Sequence, residues 1–496
     1  MRPTLIDKII SSISPEAGLR RMRARASLAS IARHYDAATT GRRTDGWRRS
    51  SGDPNAALYG SLASLREHAR DIVRNNTWAV NGLRSIVNNT VLWGIVPDLE
   101  DSPRAAELWK AWAETKQCDA DGRLDFYGLQ ALVMRTVALS GECLIRRRRR
   151  RPSDGLSVPL QLQVLEPDFL DTGMDSIRGQ SGGPVVQGVE FDSSGKRAAY
   201  WIYDSHPGSR MLESTQSKRI PASEIIHVYS LDRPGQVRGV TWFAPAIVKL
   251  RDFDEYEDAT LLRQKISACF TAFVTDIDGS SSPLGEENTD YAAVESLEPG
   301  MINQLKPGQD VRFSAPPMVS DDSFSSRSLR AIAAGIGVTY EDLTGDYSKS
   351  NFSSARMSRQ RHQASVHSWR WNMLIPLFCE TAWEWAMDAA LTAGEIDVAP
   401  IPSWTPPATP MLEPDREGLA LTRLVRAGAM THDEMVRERG QSPTAHWNEY
   451  ERGLKRLDEK GIWLDSDVRR VSQAGLTQER MSPSGGEKED GNVEDD

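Results

Sequence analysis

Asp252, Asp254, Glu255, Glu257 and Asp258 crowd carboxylates into one short stretch, a density that brings divalent-metal chemistry to mind. On a helix of 3.6 residues per turn they scatter around more than half the circumference, so they do not converge on one ion. No histidine accompanies them. A solvated or partner-facing charged face, with Arg251, Arg263 and Lys265 as counter-charges, accounts for them better. His34, His206, His227, His362 and His367 form no metal pair, since His362 and His367 stand five apart and not four. The sequence holds no H-E-x-x-H, no G-x-S-x-G and no Walker-type phosphate loop, and Gly335–Gly337 lacks the third glycine of a dinucleotide loop. Catalysis therefore has no constellation, no cofactor is implied, and the chain reads as a non-enzyme.

Two other features could contact phosphate. Arg146–Arg151 is a run of consecutive arginines. Alternate residues of a strand face opposite sides, so the run cannot present all its charges to one partner, and a solvated loop between strands is expected. Thr344–Asn351 is a Gly-, Asp- and Ser-containing loop carrying Lys349 between two helical patterns. Tryptophans cluster at Trp109/Trp112, Trp369/Trp371 and Trp383/Trp385. Stacking on bases is one use of such residues, but packing is the commoner one.

These residues must be positioned by the elements around them. Tyr59–Asn89 carries helical spacing with expected breaks at the Asn-Asn pairs 75–76 and 88–89. Pro103–Lys116 and Phe126–Leu139 read as helices. From Gly141 to Tyr229 short β-rich runs dominate, with a hairpin expected at Ser193–Gly195. An Arg233–Gly239 loop feeds a long uninterrupted helical pattern, Ala246–Ala272, roughly 40 Å if fully helical. FTAFVTD (270–276) and VRFSA (311–315) read as strands, with a short helix near 289–297 and Pro-Gly turns at 299–300 and 307–308. Phe324–Ile336 is helical, ending at Gly337. A second long helix begins at Ser353 and meets Pro376, which should kink or restart it. Asp415–Trp463 is helical, with a T-x-x-E capping pattern at Thr431–Glu434. The fold class is α+β.

Composition narrows the partners. The chain has 496 residues, 39% hydrophobic and 26% charged, with a net charge of −9. It exceeds one ordinary core, so several regions are expected. No apolar run approaches the ~18 residues of a membrane span, and the charged N-terminus does not fit a secretory signal. Cys118, Cys143, Cys269 and Cys379 are far apart and read as free buried thiols. The acidic balance disfavours tight static DNA binding but suits a wall along which DNA slides.

Ordered motifs then carry a resemblance. YDAA (Tyr35–Ala38) and GRRTDGW (Gly41–Trp47) come first, then LREHARDIVRNN (Leu65–Asn76) and NNTVLWGIVP (Asn88–Pro97). CDADGRLDF (Cys118–Phe126), GVEFDSSGKRAAYWI (Gly188–Ile202) and HPG (His206–Gly208) follow. RPGQ-x-RG (Arg233–Gly239) leads into the acidic helix, and LEPGMINQLKPGQDV (Leu297–Val311), Leu329–Arg356 and Trp371–Pro376 complete the series. Together, over about Ile31–Pro414, they resemble portal proteins of the lambda-type tailed bacteriophages.

The resemblance implies a portal fold with an α/β wing, a helical stem, a small mixed clip and a helical crown. On this sequence, residues 1–54 would be a basic arm, 55–245 the wing, 246–268 a stem helix, 269–323 the clip and 324–341 a second stem helix. Residues 342–352 would be a tunnel loop, 353–398 a long channel helix, 399–477 the crown and 478–496 an acidic disordered tail. It further implies a ring of twelve copies at one capsid vertex of the virion, assembled in the host bacterial cytoplasm, through which double-stranded DNA is packaged and ejected. Terminase, head-completion or adaptor proteins, and coat and scaffold proteins would be its partners, with no membrane. Tyr347, Ser348, Lys349, Ser350 and Asn351 would face the channel, and Asp252, Asp254, Glu255, Arg263 and Lys265 would lie between subunits. Two other readings stay open: a metal-dependent nucleic-acid enzyme using the 252–258 carboxylates, and a coat or minor capsid protein.

Overall fold

The structure is a computed structural model that describes residues 52–99, 102–210, 216–268, 272–274, 302–304, 322–462, 464, 466, 467 and 469. The chain divides into two units, Met1–Tyr59 and Gly60–Asp496. The described part of the first is a short helix, α1 (Pro54–Leu58), capped by Asp53, which accepts a bond from the Ala56 amide at 2.8 Å. The YDAA and GRRTDGW motifs and most of the expected arm lie outside the described residues.

The second unit opens with α2 (Leu62–Asn75) and α3 (Thr77–Val91). Asn76 separates them because its side chain caps α3 at the Ala79 amide, 2.8 Å away. The second expected break fails: Asn88 and Asn89 lie inside α3, and Asn89 bonds back to the Ser85 carbonyl. Strand β1 (Val96–Asp98), α4 (Pro103–Ala113) and α5 (Phe126–Ser140) follow. Asp125 caps α5 through the Gly128 amide at 2.7 Å.

Two antiparallel sheets come next. β2 (Glu142–Arg149) lies between β3 (Leu160–Leu165) and β8 (Ile225–Tyr229). The meander β4 (Gly182–Val186), β5 (Val189–Asp192), β6 (Arg197–Tyr203), β7 (Ser217–Pro221) forms the other. The β5–β6 hairpin turns at Gly195, whose φ of +84° suits glycine. The arginine run is a correction: the strand continues through Arg149, in register with β3, so no loop occupies 146–149. A continuous strand is possible because Arg147 and Arg149 pair with Asp388 and Glu224 on one face, while Arg148 and Arg150 donate to Gln163 and Gln161 on the other.

Helix α6 (Ile247–Ala268) is shorter than the 246–272 pattern, about 33 Å. β9 (Ala272–Val274) and β10 (Ile302–Gln304) pair in parallel. The expected strand at 311–315, the helix near 289–297, the Pro-Gly turns and Cys269 lie outside the described residues. Then come α7 (Asp322–Ile336), α8 (Tyr340–Thr344) and α9 (Phe352–Trp369). The residues from Arg370 to Cys379 form a π-helix containing Pro376, and α10 (Glu380–Thr392) continues it. Pro376 has no amide hydrogen, and the helix continues past it in the wider π-helical winding instead of stopping there. β11 (Ser403–Thr405) pairs with β1, and α11 (Pro414–Arg426), α12 (His432–Glu438) and α13 (Pro443–Glu459) close the fold. Thr431 and Glu434 make the reciprocal capping box at α12.

The main core joins α2–α5, β2, β3 and β8 to the buried start of α6, the second half of α7 and the π–α10 segment. A smaller core fills the space between the two sheets, with Leu144, Tyr200 and Ile202 among its members. Trp109 is central to the main core, its ring 5.3 Å from Trp112, 4.8 Å from Trp383 and 5.0 Å from Phe126. Most of these tryptophans are packing residues, whereas Trp371 is half exposed. Cys118, Cys143 and Cys379 are buried free thiols, as expected.

Candidate functional site: the 345–351 loop and the projecting helix

The loop after α8 is fixed at both ends. Gly345, at φ +69°, terminates α8 and donates its amide to the Glu341 carbonyl at 2.7 Å. Asn351 starts α9 by capping the Ser354 amide at 2.8 Å. Between them Asp346 accepts the Ser348 amide at 2.9 Å and the Tyr340 hydroxyl at 3.2 Å. The Ser348 hydroxyl first, then these bonds from the Ser348 amide and Tyr340, hold the Asp346 carboxyl below its ordinary range. Ser350 donates to Glu341 at 3.3 Å, and Ser358 of α9 reaches the same carboxylate at 2.8 Å. Burial pushes the Glu341 carboxyl up, but these hydroxyls outweigh it and its pKa falls. Tyr347, Ser348 and Lys349 remain exposed at the tip, Ser350 half-buried and Asn351 exposed.

Helix α8 is itself anchored. Asn81 of α3 donates to the carbonyls of Asp342 and Leu343 at 3.1 and 2.8 Å. Leu343 is fully buried, and its Cδ1 lies 3.1 Å from where a Cβ on Gly82 would stand. Beneath the loop, Arg370 is buried and donates to the carbonyls of Asn89, Thr90 and Pro407. Asn89 and Thr90 end α3, where the helix dipole favours a cation. Burial still lowers the Arg370 pKa to about 10.

The projecting helix leaves the body by degrees. Leu250 and Phe253 of α6 are buried in the main core. Asp254 accepts the Asn76 side chain at 2.6 Å, and Glu257 accepts the Trp78 indole at 3.4 Å. Burial raises the Glu257 pKa. Tyr256 packs on Phe324 of α7 with ring centres 4.7 Å apart. Beyond this point Leu261 and Leu262 are 49% and 59% exposed, apolar groups left in solvent on a helix that has emerged from the core. Asp252, Glu255, Asp258 and Lys265 are exposed and Arg263 is half-buried. Glu255 pairs with Arg251 one turn back, 3.2 Å away. The carboxylates of 252–258 thus take different partners on different sides, and the loop residues form a separate group from them.

A family model described as phage portal protein, lambda family, matches residues 40–370. The chain belongs to that family. The probable portal protein of Halomonas phage phiHAP-1 is 26% identical over 463 residues, 87% of this chain and 88% of that one. Portal protein B of Escherichia phage lambda is 24% identical over 355 residues, covering 63% and 66% of the two chains. Among solved structures, a chain from the neck of a native gene transfer agent particle, computed with C12 symmetry, aligns at a TM-score of 0.45. Its identity is 15%, over 81% of this chain and 98% of that one.

In this portal protein the RPGQ-x-RG motif is an exposed turn, Arg233–Gly235, that leads into a buried clamp, Gln236–Gly239. Arg238 is fully buried and grips both oxygens of Glu142, at 2.5 and 3.1 Å, while its Nη1 donates to the Gln187 carbonyl of the second sheet. The Gly239 amide and His227 Nε2 also reach Glu142, at 2.8 and 3.0 Å. Gln236 accepts the amides of Asp232 and Arg233 and donates to the Arg238 carbonyl. A Cβ on Gly239 would stand 2.2 Å from the Gly141 carbonyl oxygen, so only glycine fits. Glu142 lies at the start of a β run nearly a hundred residues upstream, and nothing in its local sequence announces a partner.

The clamp sets an acid sensitivity. Burial opposes the Glu142 charge, but Arg238 and His227 outweigh that and hold its carboxyl far below 4.5. Burial keeps His227 neutral, below 6.5, despite Glu142. Below pH 6.5 the unfolded chain takes up a proton at His227 that the folded chain refuses, and below 4.5 the same holds for Glu142. Stability is therefore greatest above pH 6.5 and falls on acidification in two stages. Urea midpoints measured from pH 8 to 4 should show this, with His227→Gln flattening the upper stage; an unchanged upper stage would count against a neutral His227.

Sequence reasoning also missed the group Glu166, Asp168 and His206, whose ligand atoms lie within 4.8 Å of one another. Arg70 meets Asp168 at 2.6 Å and Glu166 at 3.4 Å, and Arg66 meets Asp168 at 3.4 Å. Two guanidiniums at these carboxylates satisfy their charge and oppose a metal ion, so the group is an ion-pair network tying α2 to the region after β3. No helix among the described residues is long and apolar enough to cross a membrane.

Proposed function

We propose that this phage portal protein assembles as a closed ring, twelve copies by analogy with its family, at one vertex of the capsid. Double-stranded DNA passes through the hole during packaging and ejection. The observation that carries the reading is the emergence of α6 from the core, with Leu261 and Leu262 uncovered on its outer part. A charged rod with stranded apolar groups gains by lying against a second copy, and head-to-tail contacts around a ring close only with cyclic symmetry.

In this reading residues 55–245 form the wing, 246–268 and 324–341 the stem, 269–323 the clip, 353–398 the channel helix and 399–477 the crown. Asp252, Asp254, Glu255, Arg263 and Lys265 serve contacts between subunits. Tyr347–Asn351 face the channel, where one Lys349 per subunit gives a ring of weak, sequence-independent phosphate contacts. The protein works without catalysis: a separate terminase supplies ATP hydrolysis, and adaptor or head-completion proteins dock at the clip. Coat and scaffold proteins are its further partners at the capsid vertex.

Deleting Gly345–Asn351 should leave rings visible by negative-stain microscopy while lowering DNA packaging or retention. Normal packaging by such rings would overturn the channel role of the loop. Shells or threads in place of rings would favour a coat or minor capsid protein, and magnesium-dependent DNA cleavage lost in an Asp252→Ala/Asp254→Ala pair would favour a nuclease.

A further inference from the structure

Helix α9 is basic in an acidic chain. It carries Arg356, Arg359 and Arg361 and no aspartate or glutamate, whereas the chain as a whole has a net charge of −9. Two of these arginines are engaged by the connector before α11. Arg359 donates to the Pro410 carbonyl at 2.6 Å, and Arg356 stands 3.7 Å from the Glu413 carboxylate. Arg361 is different. It is exposed, has no carboxylate partner among the described residues, and lines a groove of about 570 Å³ between α7, the start of α8 and α9.

Helical spacing builds the walls of this groove. Arg330, Ala333 and Ala334 of α7, with Gly337 at its end, face Arg361, His362 and Ser365 of α9. The alanines and the glycine leave space that larger side chains would fill. Arg330 is exposed and lies over the Tyr340 ring, 5.2 Å from its centre. That contact orients the guanidinium without using its N–H donors, and among the described residues Arg330 makes no salt bridge. His362 is 3% exposed, and neither of its ring nitrogens has a hydrogen-bond partner. Asp342 Oδ2 is 3.7 Å from Nδ1, too far for a bond, and already accepts the Thr339 hydroxyl at 2.7 Å. A neutral imidazole carries one N–H, so a buried donor is left here without an acceptor. The groove therefore gathers two guanidiniums and an imidazole N–H, while the adjoining Glu341 and Asp342 are held by hydroxyls.

We propose that this groove binds a backbone phosphate of double-stranded DNA, with Arg330 and Arg361 as its two cations. The site rests on the portal reading above, in which the duplex passes the 345–351 loop. Donors on both walls suit the several oxygens of a phosphate, and guanidinium forks without a protein acceptor are its usual partners. Position along the helix selects the polymer over a free ion. Arg361 follows Asn351, where the loop ends, by ten positions, about 15 Å of helix. A duplex offers a phosphate every 3.4 Å or so of axis on each strand, so one short stretch of it reaches both Lys349 and the groove. A free phosphate gains the groove alone, whereas the duplex gains both contacts at once. Contacts confined to the backbone carry no sequence information, which suits a duplex that has to move past them.

The test measures binding of a short fluorescent duplex to the full chain by anisotropy at low salt, with rings scored separately by negative-stain microscopy. Arg330→Gln/Arg361→Gln should weaken binding about tenfold, alike for two unrelated duplex sequences, as expected for two lost charge pairs. Arg104→Gln/Arg416→Gln removes the same charge from exposed arginines outside the groove and should leave binding within twofold. Circular dichroism of both variants reports folding. A duplex with uncharged methylphosphonate linkages should bind the full chain no better than it binds the groove variant. Equal loss in both double variants, absence of duplex binding, or equal binding of the uncharged duplex would overturn the proposal. So would groove-dependent binding of inorganic phosphate or of polyglutamate in preference to the duplex. Groove-dependent duplex binding by a chain that forms no rings would count against ring assembly and leave the phosphate site standing.

Discussion

Replacing Arg238 by alanine should destabilise the folded chain by about 3–5 kcal/mol, because it leaves the Glu142 carboxylate buried without its main counter-charge. Glu142 would keep His227 and the Gly239 amide, at 3.0 and 2.8 Å, but neither carries a full positive charge. The loss also severs the Nη1 bond to the Gln187 carbonyl, which ties the β2–β8 sheet to the β4–β7 sheet. Urea unfolding followed by far-ultraviolet circular dichroism would measure it. A joint change of Glu142 to glutamine and Arg238 to methionine should cost less than Arg238→Ala alone, since no unpaired charge remains. A double variant as unstable as the single one would mean that shape, and not charge, is what Arg238 contributes.

Trp109→Ala is the second large effect, at about 3–5 kcal/mol for a fully packed aromatic removed from a core. Trp109 is only 4% exposed and contacts the rings of Trp112, Phe126, Trp383 and Trp404. The cavity would therefore open between α4, α5, α10 and β11 at once, and these elements cannot all move inward to fill it. Trp109→Phe keeps part of the volume and should lose less than half as much. Intrinsic fluorescence would report the change directly through the tryptophan cluster, and loss below 1 kcal/mol would show that the cluster repacks.

Local signals were legible in the sequence where a residue acts on its own backbone. The Thr431–Glu434 capping box, the Ser193–Gly195 hairpin turn and the helix stop at Gly337 each follow from dihedral preference or a side chain reaching three residues along. The Asn-Asn pair at 88–89 misled because its neighbours bury Ile86, Thr90 and Val91, and that packing carries α3 past residues that would break it in isolation. The arginine run misled for a related reason. A strand of like charges is poor on propensity alone, yet Asp388 and Glu224 on one face and two glutamines on the other make it tenable. The clamp lay furthest from view, because Glu142 and Arg238 are nearly a hundred positions apart and only the tertiary fold pairs them. The order of motifs carried the family where no single one would, and residues 40–370 match it as a whole.

The bracing of the 345–351 loop has a mechanical consequence. Its base, α8, hangs from α3 by two hydrogen bonds of Asn81 and by Leu343 seated over Gly82. Its far end is stitched to α9 through one carboxylate shared by Ser350 and Ser358. A load applied at Tyr347–Lys349 is thus handed on to both helices and not dissipated in slack backbone, which makes the tip behave as the short arm of a lever whose fulcrum is Glu341.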